Sequence, residues 1–270
     1  MTEPLSPRRR SWLRSRARQR HLVLLGQLTL AATVLLLWEG SLRWGWTDGF
    51  LLSSPSRLTA SLAELLKTGQ LWNHVGTSCL ETVIGFTVGT ALGTAIAVAM
   101  WWWPSLARVL DPYLVVLGAL PKPALGPIFI VWMGAGTGAI VAMTVAISLI
   151  VTILNMYQGF LSADAEQLRL LRSLGASRGQ ILRYLVFPAN FPTLFATLKV
   201  NVGLAWVGVI MGEFLVSRAG LGYLIVYGSQ VFNMDLVMAS MALLALAAVV
   251  MYRLVQALER RVHRHWGVTS

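Results

Sequence analysis

The sequence predicts an all-α polytopic membrane protein with six transmembrane helices. Composition is the first observation. Of 270 residues, 56% are hydrophobic and only 12% are charged, about half the charged share of a soluble domain. The second is the length of the uncharged stretches: 41 consecutive residues without a charge separate Lys122 from Asp164. The third is where the net charge of +11 sits. Arg8, Arg9, Arg10, Arg14, Arg16, Arg18 and Arg20 precede the first apolar run, and Arg253, Arg260, Arg261 and Arg264 follow the last. Basic flanks beside apolar spans are a topology signal, so the charge does not speak for a nucleic-acid partner. The 11 Trp and 24 Gly suit interfacial anchoring and close helix packing in lipid.

Three parts follow: a basic N-terminal tail over 1–21, a six-span body over 22–256 and a basic C-terminal tail over 257–270. Arg8-Arg9 before an apolar run has the look of a secretory or twin-arginine leader. The run Leu22–Trp38 is 17 residues long and no small-x-small cleavage site follows it. It is therefore expected to be an uncleaved first span, His21–Leu42, with Glu39 near its outer end. Phe50–Ser56 reads as a turn, with Ser56 capping a short amphipathic helix over Leu58–Leu66.

Span 2 is expected over Thr77–Trp103. Gly85, Gly89 and Gly93 repeat every four residues on one of its faces, a small-residue stripe that lets another backbone approach. Trp101-Trp102-Trp103-Pro104 then marks an interface. The 41 uncharged residues would make about 60 Å of helix, twice a bilayer core, so the run must divide. Gly134–Gly138 is the turn that divides it, giving span 3 over Tyr113–Met133 and span 4 over Ala139–Phe160. Spans 5 and 6 fall at Phe191–Phe214 and Leu236–Tyr252.

Six spans put both termini on one side. With the N-terminus inside, 16 basic residues lie in inner segments and 4 in outer ones. That asymmetry orients the chain with both termini in the cytoplasm.

Between spans 4 and 5 lies the one long polar insertion, 164–188. Leu168, Leu171 and Leu174 fall near helical spacing, with Arg169, Arg172, Arg178 and Arg183 around them. Gly175, followed by Ala176-Ser177, interrupts the pattern. The expectation is helix, glycine turn, helix, with Pro188 as the stop.

Gly175, nine residues, then Leu185-Val186-Phe187-Pro188 resembles the cytoplasmic EAA loop of permease subunits in binding-protein-dependent ABC importers. The family's Glu-Ala-Ala triplet is replaced here by Arg169-Leu170-Leu171; Asp164 and Glu166 lie one turn upstream. Leu110-Asp111-Pro112, Ala119–Pro127, Asn155–Phe160, Glu213 and Gly220–Leu224 look like the nitrate, sulfonate and taurine-type subfamily.

The resemblance implies a type I ABC importer permease core in the bacterial inner membrane. Two copies would form the pathway, with ATPase subunits inside and a solute-binding protein outside. ATP and Mg would belong to the ATPase, leaving no cofactor on this chain and no enzymatic activity of its own. Asp164, Glu166, Arg169, Arg172, Leu174, Gly175, Ala176, Ser177 and Pro188 would couple to the ATPase. Nitrate, sulfonates, taurine, pyrimidine precursors and flavins are all solutes of permeases that look like this one.

Prolines at 121 and 123 break span 3 near mid-bilayer, where broken helices line cavities. Pro121, Lys122, Pro123 and Glu213 are therefore candidate pathway residues. Lys122 could attract an anionic solute, or could pair with Glu81 or Glu213 and brace the bundle. Lys199 is expected to snorkel to the inner interface, while Glu39 and Glu81 are expected at the outer one. His74, His263 and His265 have no metal-ligand spacing. No P-loop, G-x-S-x-G or H-E-x-x-H occurs. An ion-coupled secondary transporter or channel is the alternative; it calls for a coupling carboxylate at mid-bilayer and internal repeats, and spans 2–3 show no repeat in spans 5–6.

Overall fold

The computed structural model describes residues 7–46, 48 and 52–266, and these are helical and without strands. Residues 1–6 and 267–270 of the two tails, and part of the turn before Pro55, lie outside the described residues. Five helices are long and apolar enough to cross a membrane, and a bent helix pair makes a sixth span.

The first helix, α1 (Pro7–Arg43), carries an apolar stretch exposed on all sides, from Leu22 to Leu37. Its C-terminal end is fastened: Trp38 Nε1 donates to the Ser53 carbonyl at 2.7 Å, and Glu39 accepts from Ser56 N and Oγ. The short helix α2 (Pro55–Lys67) starts with Pro55 in its first turn and is capped by Ser54, not Ser56. Ser56 is one residue inside the helix, and its hydroxyl serves Glu39 instead. Pro55 explains the shift, because its fixed φ and missing N–H suit the first helical position.

The core is the trio α3 (Gln70–Trp102), α6 (Thr137–Leu161) and α10 (Phe191–Val216). Between α3 and α6 the glycine stripe meets a hydroxyl stripe of the same four-residue period. Gly85 lies against Thr144, Gly89 against Ser148 and Gly93 against Thr152. A Cβ at Gly93 would stand 2.6 Å from Thr152 Cβ, so only glycine permits this approach. The facing hydroxyls donate to carbonyls four residues back in their own helix, at 2.7–2.9 Å. That leaves a small, internally satisfied surface, suited to packing where lipid provides no hydrophobic drive. At that same Thr144, and at Ile140 one turn before it, Gly208 and Gly212 of α10 also approach α6. Asn201 binds the trio together, its Nδ2 donating to Thr90 Oγ1 at 3.0 Å and Thr152 Oγ1 at 2.7 Å.

Span 3 is the bent pair. Helix α4 (Pro104–Ala119) and the segment Lys122–Met133, which continues into α5 (Gly126–Met133), meet at 96°. The span expected from Tyr113 thus begins at Pro104, and the expected proline break is a sharp turn at Leu120-Pro121.

Helices α7 (Ala165–Ser173) and α8 (Arg178–Ile181) form the hairpin. After α8 the chain winds as a π turn over Leu182–Val186, continues through α9 (Phe187–Ala189) and breaks at Asn190. Pro188 is therefore inside a helical run and not its stop. Pro188 has no N–H to continue an α ladder; in the turn before it Phe187 N bonds to Leu182 O, and Asn190 Nδ2 takes the Val186 carbonyl at 2.8 Å.

After α10 come α11 (Leu221–Gln230) and α12 (Met234–Trp266). Helix α12 runs well past Tyr252, so most of the segment read as a C-terminal tail continues the helix of span 6. Lys199 does not simply reach for the interface: it pairs with Glu259 of α12 at 2.6 Å.

Candidate functional site

Three places gather the residues singled out above. The first is the hairpin. Asp164 caps α7, its Oδ1 accepting from Glu166 N at 2.8 Å. At the other end Gly175 adopts φ 78°, with Gly175 N on Arg172 O and Ala176 N on Leu171 O, both at 3.0 Å. These two bonds make a Schellman turn, which glycine enters without a Cβ penalty. Ser177 and Gln180 then close a capping box that starts α8.

The inner face, Leu168, Leu171 and Ala176, packs on a cluster of Ala97, Met156, Phe160, Ile181 and Val186. The outer face leaves Leu170, Leu174 and Tyr184 at 60%, 73% and 68% exposure, with Arg169 and Arg172 exposed beside them. Leu171, Leu174, Gly175, Ala176, Gln180 and Tyr184 line a groove of about 270 Å³. Arg178 Nη1 donates to the Trp102 carbonyl at 2.9 Å, joining the hairpin to the end of α3. Apolar side chains held outward on a rigid turn present a surface for another protein.

The second place is the bend. Lys122 is half-buried, and its Nζ donates to the Gly118 carbonyl at 2.9 Å, capping the C-terminal end of α4. It forms no ion pair among the described residues, so the bracing pair with Glu81 or Glu213 is not formed. Pro121 and Pro123 flank it, both exposed.

The third place gathers residues that sequence reasoning scattered. Glu81 and Glu213 are 1% and 2% exposed. Glu81 is thus not interfacial, and Glu213 is enclosed by protein. Glu213 Oε1 accepts from Ser78 Oγ and its Oε2 from Gly222 N, both at 2.5 Å. Ser78 Oγ in turn accepts from Leu221 N at 2.7 Å, and His74 Nδ1 accepts from Gly220 N at 3.1 Å. Three successive backbone donors at the start of α11 are thus each held by a side chain from α3 or α10. Gly220, at φ 120°, and Gly222 leave the space this needs, since a Cβ on Gly222 would stand 2.8 Å from Glu213 Oε2.

The His74 ring stacks on Tyr223 at 5.8 Å. The Glu81 carboxyl contacts Glu213 and the Thr137 hydroxyl. Glu81 Oε2 has no partner among the described residues. The signal for Glu81 was present in its spacing: 81, 85, 89 and 93 form one four-residue series, so the glycine stripe carries Glu81 inward.

This architecture has relatives. The family described as binding-protein-dependent transport system inner membrane component matches residues 89–264. The riboflavin transport system permease protein RibX of Chloroflexus aurantiacus is 30% identical over 240 residues, 88% of this chain and 90% of that protein. The taurine transport system permease protein TauC of Escherichia coli is 27% identical, covering 71% of this chain and 70% of that one. In fold the chain is similar to a bacterial ABC transporter involved in import of the acidic polysaccharide alginate, with a TM-score of 0.64, 12% identity, and coverage of 94% of this chain and 99% of that one.

Proposed function

The chain belongs to the inner-membrane components of binding-protein-dependent transport systems, the permease subunits of ABC importers, and on that premise we propose how its parts divide the work. The segment 164–188 docks an ATPase subunit in the cytoplasm, with Leu170, Leu174 and the Gly175–Ser177 turn as its tip. Asp164 and Glu166 set the first helix of the hairpin, Arg169 and Arg172 flank the contact, and Pro188 lies where the return helix meets span 5. ATP and Mg act on that partner and not on this chain. Both termini are cytoplasmic, as the basic residues require, and the 22–256 body sits between the tails. A second copy completes the pathway, and a solute-binding protein delivers the solute from outside.

The solute is small and organic, in keeping with the riboflavin and taurine transport named for RibX and TauC. Pro121, Lys122 and Pro123 lie on its route. The Lys122 ammonium carries three hydrogens and spends one on Gly118 O, so it can also hold an anionic group as the solute passes.

The single observation that carries this reading is the hairpin's outward apolar pair, held on a capped Schellman turn. Gly175→Val tests it. A β-branched residue at φ 78° costs about 1–3 kcal/mol, enough to reorient a nine-residue helix while the spans keep their own packing. Tagged Gly175→Val is expected in the membrane at wild-type level but with most of the co-purifying ATP hydrolysis lost. Full recovery of ATPase with this variant would remove the hairpin as the docking element.

A further inference from the structure

We propose that Glu213 is a positioning residue: it locks the outer loop Ser217–Gly222 to span 5, so that α10 moves as one strut between that loop and the hairpin. The proposal rests on the hairpin being the ATPase-docking element, and it deepens that reading by naming the opposite end of the linkage.

The geometry is specific. Helix α10 spans Phe191–Val216, about 39 Å of helix. Its inner end follows the hairpin after a single non-helical residue, Asn190, whose side chain bonds back to Val186. At its outer end the chain reverses through Ser217–Gly222. A reversal of this kind is ordinarily a soft joint, because its backbone groups have no ladder to hold them.

Here it is not soft. Ser217 and Ala219 exchange hydrogen bonds within the loop. The next three amides go to His74, Ser78 and Glu213. Of these three side chains only Glu213 belongs to α10 itself, so it is the one that ties the start of α11 to the strut. Ser78 bridges, accepting from Leu221 N and donating to Glu213. The start of α11, where uncapped N–H groups concentrate positive potential, is also where a carboxylate is favoured. Asn201 and Gly208 then hold the middle of α10 against α3 and α6, leaving little room to bend between its ends.

The test reads motion at both ends after the inner end is driven. In the complex recovered with its ATPase, on a Cys79→Ser background, Ser173→Cys reports on the hairpin and Arg218→Cys on the outer loop; both positions are exposed. The readout is the rate of modification by a membrane-impermeant thiol reagent, with and without trapping by Mg-ATP and vanadate.

In otherwise wild-type protein, trapping is expected to change both rates, the outer one by about fivefold, the lower end of common allosteric coupling. Glu213→Gln should keep the Ser173→Cys response and lose the Arg218→Cys response, because the two donors Ser78 Oγ and Gly222 N need two acceptor oxygens and the amide offers one. Ser78→Ala is the milder second variant and should weaken the outer response without removing the inner one. Glu81→Gln should leave both near wild type, since Glu81 holds none of the three loop amides. A residue that only supported stability would blunt both ends together, so such a result overturns the proposal. A wild-type outer response in Glu213→Gln also overturns it, as does an outer loop that ignores trapping while the hairpin responds. A hairpin that ignores trapping in the wild-type background sinks the docking reading itself, and the strut with it.

Discussion

The first span and the α3–α6–α10 core are both apolar enough to cross a bilayer, yet they share almost nothing else. None of the apolar window of the first span is buried within the protein, against half of the window of Thr137–Leu161. Gly26 in α1 faces open space, whereas Gly85, Gly89, Gly93, Gly208 and Gly212 each abut a partner helix. The core also buries Thr90, Thr144, Ser148, Thr152, Asn201, Glu81 and Glu213. In the apolar part of α1, the Thr33 hydroxyl only bonds back to Thr29 O at 2.8 Å. Hydropathy therefore says that a helix is in the membrane; small and polar residues in register say that it is in the protein. The family match has the same emphasis, starting at residue 89, beyond α1 and α2.

The comparison can be broken at its strong end first. Gly208→Leu would place a side chain where a Cβ already stands 2.7 Å from the Thr144 backbone Cα. Backbone cannot swing aside, so the cost is expected at about 3 kcal/mol, the upper end for overpacking. Thermal unfolding followed by the fluorescence of the 11 tryptophans should show it clearly; an unchanged midpoint would mean that the α6–α10 contact is looser than described.

Asn201→Leu removes two interhelical hydrogen bonds and one unsatisfied oxygen. Such bonds are worth about 0.6–1.7 kcal/mol each in membranes at most, so a net loss of about 1 kcal/mol, or about 2–4 °C, is expected. A rise in stability would show Asn201 to be kept for something other than packing. The smallest effect belongs to α1: Leu30→Ala, at a residue 68% exposed, should stay within about 0.5 kcal/mol. A larger loss would reveal a packing partner for the first span.

Features carried by short stretches were legible in the sequence. The cores of the spans, the break at Pro121–Pro123 and the turn at Gly175 are each written in one continuous stretch of chain. Prolines and glycines act locally on the backbone, so their signal survives without knowledge of the fold. What escaped reading depends on residues far apart. Lys199 meets Glu259 across 60 residues, and Glu213 meets Ser78 across 135. Neither pairing leaves a local pattern. Glu81 differs for another reason: its distance from the end of the span predicts an interfacial site, but its register with three glycines decides which way it points. Pro188 misled because a π turn upstream lets a helix accept a proline that would otherwise end it.

That π turn has a consequence of its own. A π turn holds one residue more than an α turn would, and each residue of an α-helix swings the chain by about 100° about its axis. The extra residue within Leu182–Val186 therefore sets the bearing of α7 and α8 relative to α10. Without it, Leu168 and Leu171 would rotate off their cluster, Arg178 would lose the Trp102 carbonyl, and Leu170 and Leu174 would aim at a different quarter of the compass. Two chains with identical spans, identical hydropathy and the same hairpin would thus aim their tips in mutually incompatible directions, distinguished only by where one residue is stored.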